Sequence, residues 1–226
     1  MTVKRGPIFT AENLDKVATG RKTQTRRMGK ELRQINKSPS KWHVGAVKSN
    51  IFFFIDGPPE ESPALVERFP KYEPGDLLWL PEKWRVAAWN CNKRILAIDY
   101  ADGTRQKWIS VNDRVAFDRL VDQTRQDAKM SDFKWKPGES PGRWRPSTNM
   151  AQWAARHWIK ITGVRAEKLG DISEADAKAE GVDNINDFAS IWEKTNKKGF
   201  WPLDKTRWCF VYEFKLADAP EGEGAK

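Results

Sequence analysis

Apolar positions along this chain come in short runs cut by turn formers, not in long helical stripes. Leu14, Val17 and Ala18 share one helical face between Thr10, a capping residue, and Gly20, a terminator, so a short helix is expected over 10–19. Lys22 to Met28 alternates and holds Thr23 and Thr25, the pattern of a strand, and the polar, basic stretch 29–44 reads as a loop. A strand over Val47 to Ile55 stops at Asp56-Gly57-Pro58-Pro59; Pro74-Gly75-Asp76 launches another over Leu77 to Leu80, which Trp84 to Ala88 continues. Asp102-Gly103 between Arg94–Tyr100 and Gln106–Val111 is a hairpin signal. Asp113 to Met130, with Val115, Leu120 and Val121 among charges, reads as a helix, and 131–150, rich in Pro, Gly, Trp and bases, as a long ordered loop. His157 to Val164 is a strand, and Ser173 to Glu180 a helix with Ser173 and Asp176 as a capping pair and Gly181 as its end. Asn186 to Asn196 is a helix on Phe188, Ile191 and Trp192, and Trp208 to Leu216 a closing strand.

Many strands with a few short helices point to an α+β fold, a small closed or partly closed β-barrel with short helices on its rim. The expected organisation is one domain over 1–216, with 112–150 as an inserted helix and loop and 217–226 as a disordered tail. The longest strongly apolar run, Ile51 to Ile55, is far shorter than the roughly 20 residues a spanning helix needs. Met1 to Pro7 lacks the apolar core of a signal peptide. These features predict a soluble cytoplasmic protein with no membrane partner. Cys91 and Cys209 read as reduced, structural thiols, and with only His43 and His157 no Cys/His zinc spacing exists, so no metal and no cofactor are expected.

Charge changes the picture through its placement. The formal net charge is +9, and residues 1–50, with 12 Lys+Arg against 3 Asp+Glu, hold all of that excess. A concentrated positive segment suggests an anionic partner, most commonly a phosphate backbone. The 12 tryptophans are a second oddity, since several sit beside bases, as in Lys134-Trp135-Lys136, Arg143-Trp144-Arg145 and Arg156-His157-Trp158. Aromatics interleaved with cations can stack bases and hold phosphates, whereas strand alternation would bury the rings and leave the cations outside.

The segment Gly20-Arg21-Lys22-Thr23-Gln24-Thr25-Arg26-Arg27 resembles the signature of the ASCH superfamily, in the positions Gly20, Lys22, Thr25 and Arg27. Further stretches resemble its phage and prophage branch: Tyr72 to Trp79, Arg143 to Ser147 through Met150 to Trp153, Val164 through Asp171–Ala177 to Glu180-Gly181, and Trp208 to Phe214. The resemblance implies a PUA-like barrel and, if phage-borne, a host-cytoplasmic location. It implies binding of RNA, DNA or a modified nucleoside or nucleotide in a cleft beside the barrel. One bacterial branch is an amidohydrolase that removes the acetyl group from cytidine acetylated on its exocyclic amine, and other members are reported as ribonucleases. Carried across by matching motifs, the amidohydrolase's catalytic residues fall on Lys22, Thr25 and Glu180. This chain is about twice as long as that small enzyme, in which 29–72 and 85–155 have no counterpart.

Hydrolysis of an amide would use Thr25 as the hydroxyl nucleophile, Glu180 as its base and Lys22 as the cation facing the oxyanion. On a regular strand Lys22 and Thr25 face opposite sides, so they converge only if a turn or bulge interrupts the segment. Binding alone demands less. Arg21, Lys22, Arg26 and Arg27 would form a basic rim for phosphates, with Arg143 as a further cation. A base would stack on Trp79, Trp84 or Trp144 and hydrogen-bond to Thr25 and Glu180.

Overall fold

The computed structural model describes residues 2–57, 64–105, 108–134, 139–196 and 205–220. Its elements are β1 (Val3–Arg5), α1 (Ala11–Ala18), β2 (Gln24–Arg27), β3 (Trp42–Lys48), β4 (Ile51–Asp56), β5 (Ala64–Arg68), β6 (Leu77–Trp79), β7 (Trp84–Asn90), β8 (Ile95–Tyr100), β9 (Ile109–Ser110), α2 (Arg114–Met130), β10 (Trp158–Lys168), α3 (Glu174–Ala179), α4 (Ile185–Thr195) and β11 (Trp208–Ala217). The α+β class holds. The strands form one five-stranded sheet, ordered β1-β6-β10-β11-β2, and two three-stranded sheets, β3-β4-β5 and β7-β8-β9. Among the described residues no barrel closes: strands expected to join one barrel pair locally, as two antiparallel meanders.

Two compact units share the chain. One takes 1–2, 15–77 and 160–216; the other takes 3–14, 78–159 and 217–226, and so contains the stretch 112–150. In the first unit β11 pairs antiparallel with β2, setting Val211 opposite Arg26 and Tyr212 opposite Thr25. Edge-on ring pairs, Phe52 with Phe210 at 5.2 Å and Phe54 with Trp208 at 5.1 Å, tie β4 to β11. A second apolar cluster, including Leu169, Ile172, Ala177, Val182, Phe188 and Trp192, packs α3 and α4. Edge-to-face rings of this kind add to the area they bury.

In the second unit the Asp102-Gly103 turn follows β8, and β8 pairs with β9. α2 begins at Asp113, whose carboxylate accepts from the Ala116 N–H at 3.0 Å. It buries Phe117, Leu120, Val121 and Thr124, a stripe at i, i+3, i+4 and i+7. Val115, one of the apolar residues from which the helix is expected, is exposed because it lies off the stripe that Phe117 starts.

Two readings of the first unit need correction. The run 47–55 is not one strand but the middle of the β3–β4 hairpin, turned at Ser49 and Asn50, both with positive φ. This is the left-handed pair that a two-residue hairpin turn demands, and Asn tolerates it. The stretch 29–44 is not irregular: it forms 3₁₀ turns at Lys30–Leu32, Ile35–Lys37 and Pro39–Lys41 before β3 begins. Leu32 and Ile35 are fully buried and pin those turns. Of the expected disordered tail, 221–226 lies outside the described residues, as do Pro58, Pro59 and Trp135.

The turn at 49–50 makes a direct stability test. Asn50→Val, a β-branched residue forced to positive φ, is expected to cost about 1–2 kcal/mol in urea unfolding, and Asn50→Gly to cost none of it.

Candidate functional site

The signature octapeptide is half turn and half strand. Gly20, at φ 73, ends α1 in the left-handed conformation. The Lys22 N–H then bonds the Lys16 carbonyl at 2.8 Å, and the Thr23 N–H bonds the Ala179 carbonyl at 2.8 Å. Only at Gln24 does β2 begin. A turn therefore interrupts the segment between Lys22 and Thr25, the interruption their convergence would need. Gly181, at φ 85, ends α3, and a β-carbon there would lie 3.1 Å from the Lys22 Cβ. The positive φ favours glycine at 181, and the close approach leaves little room for a side chain. These two glycine turns bring Lys22 against Glu180.

Lys22 Nζ donates to Glu180 Oε2 at 2.5 Å and to the Glu180 carbonyl at 2.8 Å. Lys22 is 4% exposed and Glu180 6%. Arg26, 3% exposed, donates to Glu180 Oε1 at 3.4 Å and to Glu167 at 2.9 Å, and pairs with Asp176 at 3.3 Å. Arg165 bonds the outer oxygens of Glu167 (2.9 Å) and Asp176 (2.5 Å), and reaches Glu213 at 2.5 Å and Gln24 at 3.2 Å. Two guanidiniums thus bracket Glu167 and Asp176, and an ammonium closes the far side of Glu180. The Arg26 guanidinium also lies 5.7 Å from the Phe188 ring centroid. The Nε of Arg26 and the amide nitrogen of Gln24 are buried donors with no acceptor among the described residues.

Burial is the largest influence on Lys22 and lowers its pKa; Arg27 and Lys16 push the same way, and together they outweigh the Glu180 carboxylate. Arg26 goes the other way: burial opposes its charge, but the hydrogen bond to Glu167 and the field of Glu180 hold the proton more firmly. Asp176 also resists burial. The Ser173 hydroxyl and N–H, with Arg26 and Arg165 nearby, draw its pKa down to about 2. The same Ser173–Asp176 pair is the capping box of α3, so helix initiation and the charge cluster share one carboxylate.

Other candidates from the sequence lie elsewhere. Thr25 is 5% exposed and sits opposite Tyr212, on the face of β2 away from Gln24 and Arg26. Arg27 shares that face; burial lowers its pKa, against the fields of Glu180, Tyr72 and Tyr212. Arg26 is not part of an open basic rim, because acids enclose it. Arg21 is exposed and paired with Asp183 at 2.7 Å. Trp79, Trp84, Arg143 and Trp144 all belong to the second unit. Trp79 and Trp84 are core residues, with Trp84 edge-on to Trp153 at 6.1 Å, so their faces are not open platforms. Trp144 is exposed, but Arg85 and Lys83 lie over its ring at 4.6 and 5.5 Å. Arg143 pairs with Asp127 at 3.4 Å. Sequence reading missed Arg165, Glu167 and Glu213. The signal was Arg165-Ala166-Glu167 in a strand-like run, where i, i+2 residues face one side, but nothing local gives the partner strand's register.

Removing one partner from such a buried cluster leaves an uncompensated charge. Lys22→Met and Glu180→Gln are each expected to lose about 3–5 kcal/mol in denaturant unfolding. The double variant should lose less than the sum, by about 1–3 kcal/mol of coupling, which a double-mutant cycle measures.

Acid tests a different link. Because the folded pKa of Asp176 lies below its ordinary value of 3.8, its contribution is complete above about pH 4 and vanishes as pH falls through about 2. Asp176→Asn should flatten the acid side of the stability profile between those limits. An unchanged profile would mean that the carboxylate is not held by its neighbours. Among the described residues, no three His, Cys, Asp or Glu are grouped to hold a metal ion, and no helix is long and apolar enough to cross a membrane. No family model, curated protein or solved structure matches the chain.

Proposed function

We propose that the protein is an ASCH-type, PUA-like protein that binds a nucleic acid or a modified nucleoside or nucleotide, recognising the base at the Lys22–Glu180 pair. The observation that carries this reading is that pair itself: 2.5 Å long, buried on both sides and set by a glycine turn at each end. A buried ion pair is seldom more stabilising than an apolar pair of the same volume, so stability gives little reason to keep one. Three of the segments that resemble the family converge there: 20–27, 164–181 and 208–214. Glu180 is suited to accept from an exocyclic amine, as carboxylates do from cytosine, and Lys22 to donate to a neighbouring carbonyl oxygen. The surplus donors on Gln24 and Arg26 are a further polar resource beside them.

A second reading has its own observation. Lys22 is pushed by burial toward the neutral amine, and a lysine so shifted beside a carboxylate can exchange a proton with it. That favours the amidohydrolase, with Lys22 as the group that takes a proton and Glu180 as its partner. Water then adds across the amide bond, the C–N bond breaks, and acetate and the free exocyclic amine leave. Thr25 fits this scheme poorly as nucleophile, since it occupies the other face of β2. The ribonuclease reading is weaker than both: Glu167, Asp176 and Glu180 converge, but on the Arg26 guanidinium.

Mass-spectrometric product analysis tests these readings together. The protein is incubated with N4-acetylcytidine, a set of modified nucleosides and short RNA, and retained nucleoside is measured in parallel. Binding with no product, lost in Lys22→Met and Glu180→Gln variants that remain folded by circular dichroism, is the expected result. Acetate release lost in the same variants would make the protein an amidohydrolase, and shortened RNA a nuclease. Neither binding nor product from any of these would overturn the proposal.

A further inference from the structure

A second site lies on the first unit, in the segment that carries the chain's excess positive charge. Residues 30–37 run Lys-Glu-Leu-Arg-Gln-Ile-Asn-Lys through two 3₁₀ turns. Leu32, Ile35 and Asn36 point inward and are buried, while Lys30, Arg33, Gln34 and Lys37 are exposed. Asn36 fastens the segment to β11: its amide donates to the Trp208 carbonyl at 2.9 Å, and its side-chain oxygen accepts from the Trp208 N–H at 2.7 Å. The outward bases thus stand on an anchored scaffold. Across from them, Arg68 at the end of β5 donates to Gln34 Oε1 at 2.5 Å and to the Glu67 carbonyl at 2.7 Å. Phe69, next in the chain, is 54% exposed.

These residues enclose an open groove of about 450 Å³, lined by Lys30, Arg33, Lys37, Arg68, Glu31, Glu67, Gln34 and Phe69. Four cations against two acids give it a positive balance. An exposed phenyl ring beside cations is the pairing that single-stranded nucleic acids use, with the ring on a base and the cations on phosphates. A duplex hides its base faces, and short 3₁₀ turns offer no helix or ribbon for a major groove.

We propose that this groove binds single-stranded nucleic acid, with Phe69 stacking on an unpaired base and Lys30, Arg33 and Lys37 holding successive phosphates. It shares only the class of partner with the function proposed above and uses a separate set of residues.

Fluorescence anisotropy on the intact protein with labelled oligo(U) and oligo(dT), across a salt series, tests it. Phe69→Ala is expected to weaken binding about fivefold or more. The triple variant Lys30→Ala/Arg33→Ala/Lys37→Ala should lower the slope of log K against log salt by about 2, at roughly 0.7 per phosphate contact. All four side chains are on the surface, so the variants should keep the wild-type circular dichroism spectrum and Tm. Wild-type affinity and slope in both variants would overturn the proposal. So would displacement of the oligonucleotide by polyglutamate at equal charge, which would make the groove a site for acidic polypeptides. Glu180→Gln separates the two sites. Oligonucleotide binding that survives it supports the groove even if no nucleoside binds at Lys22; binding lost there but kept in the groove variants would place the strand at the Lys22–Glu180 pair. Duplex of the same length binding as tightly, with no response to Phe69→Ala, would also contradict single-strand stacking.

Discussion

The first unit depends on one buried chain of ion pairs. Lys22, Arg26 and Arg165 face Glu180, Glu167, Asp176 and Glu213 in one chain of contacts drawn from the turn before β2, β2 itself, β10, α3 with its C-terminal cap, and β11. Taking charges out of water is costly, and mutual attraction offsets that cost only when geometry is tight and the remaining donors and acceptors are satisfied. The local turns and the strand register serve the pairing, although the Arg26 Nε and the Gln24 amide nitrogen have no acceptor among the described residues. The Gly20 turn takes Lys22 out of strand register, the Gly181 turn lets its backbone approach, and the β2–β11 register sets Arg26 beside Val211, on the face where β10 supplies Glu167. The capping carboxylate of α3 is itself one of the paired acids.

Such an arrangement would suit the base-recognising site proposed above. Charged groups held in place by one another do not need to reorganise when a polar ligand arrives, and in a low dielectric their hydrogen bonds are strong. Lys22 stands apart within it. The guanidinium of Arg26 is held charged by its acids, whereas burial and neighbouring cations press the ammonium of Lys22 toward neutrality. The two buried cations are thus shifted in opposite directions by their surroundings.

Much of this was legible in the sequence, for identifiable reasons. Short-range signals held: the Ser173–Asp176 capping box, the Gly181 stop, the helix over Asp113 to Met130 and the closing strand at Trp208 all come from residues near one another in sequence. Lys22 and Glu180 could be paired in advance only through the family resemblance, since 158 positions separate them and no local rule links them. What failed was non-local or depended on backbone sign. Ser49-Asn50 lacks the glycine that marks a hairpin, so a two-strand turn read as one strand. The segment 29–44 looked like loop because its inward residues, Leu32 and Ile35, are spaced three apart in a basic stretch too short for a helical stripe. Arg26 looked like a free rim cation because the acids that enclose it come from distant strands and helices.

The response of Lys22 to a nucleoside distinguishes the ligand site proposed at the Lys22–Glu180 pair from a purely structural bridge. The most direct measurement is an NMR pH titration of the lysine side chains in ¹³C-labelled protein, repeated with N4-acetylcytidine and with cytidine. One lysine, assigned through Lys22→Met, is expected to titrate below the rest, and its resonance to move when the nucleoside is added. A Lys22 that titrates with the surface lysines and ignores both nucleosides would contradict the proposed site.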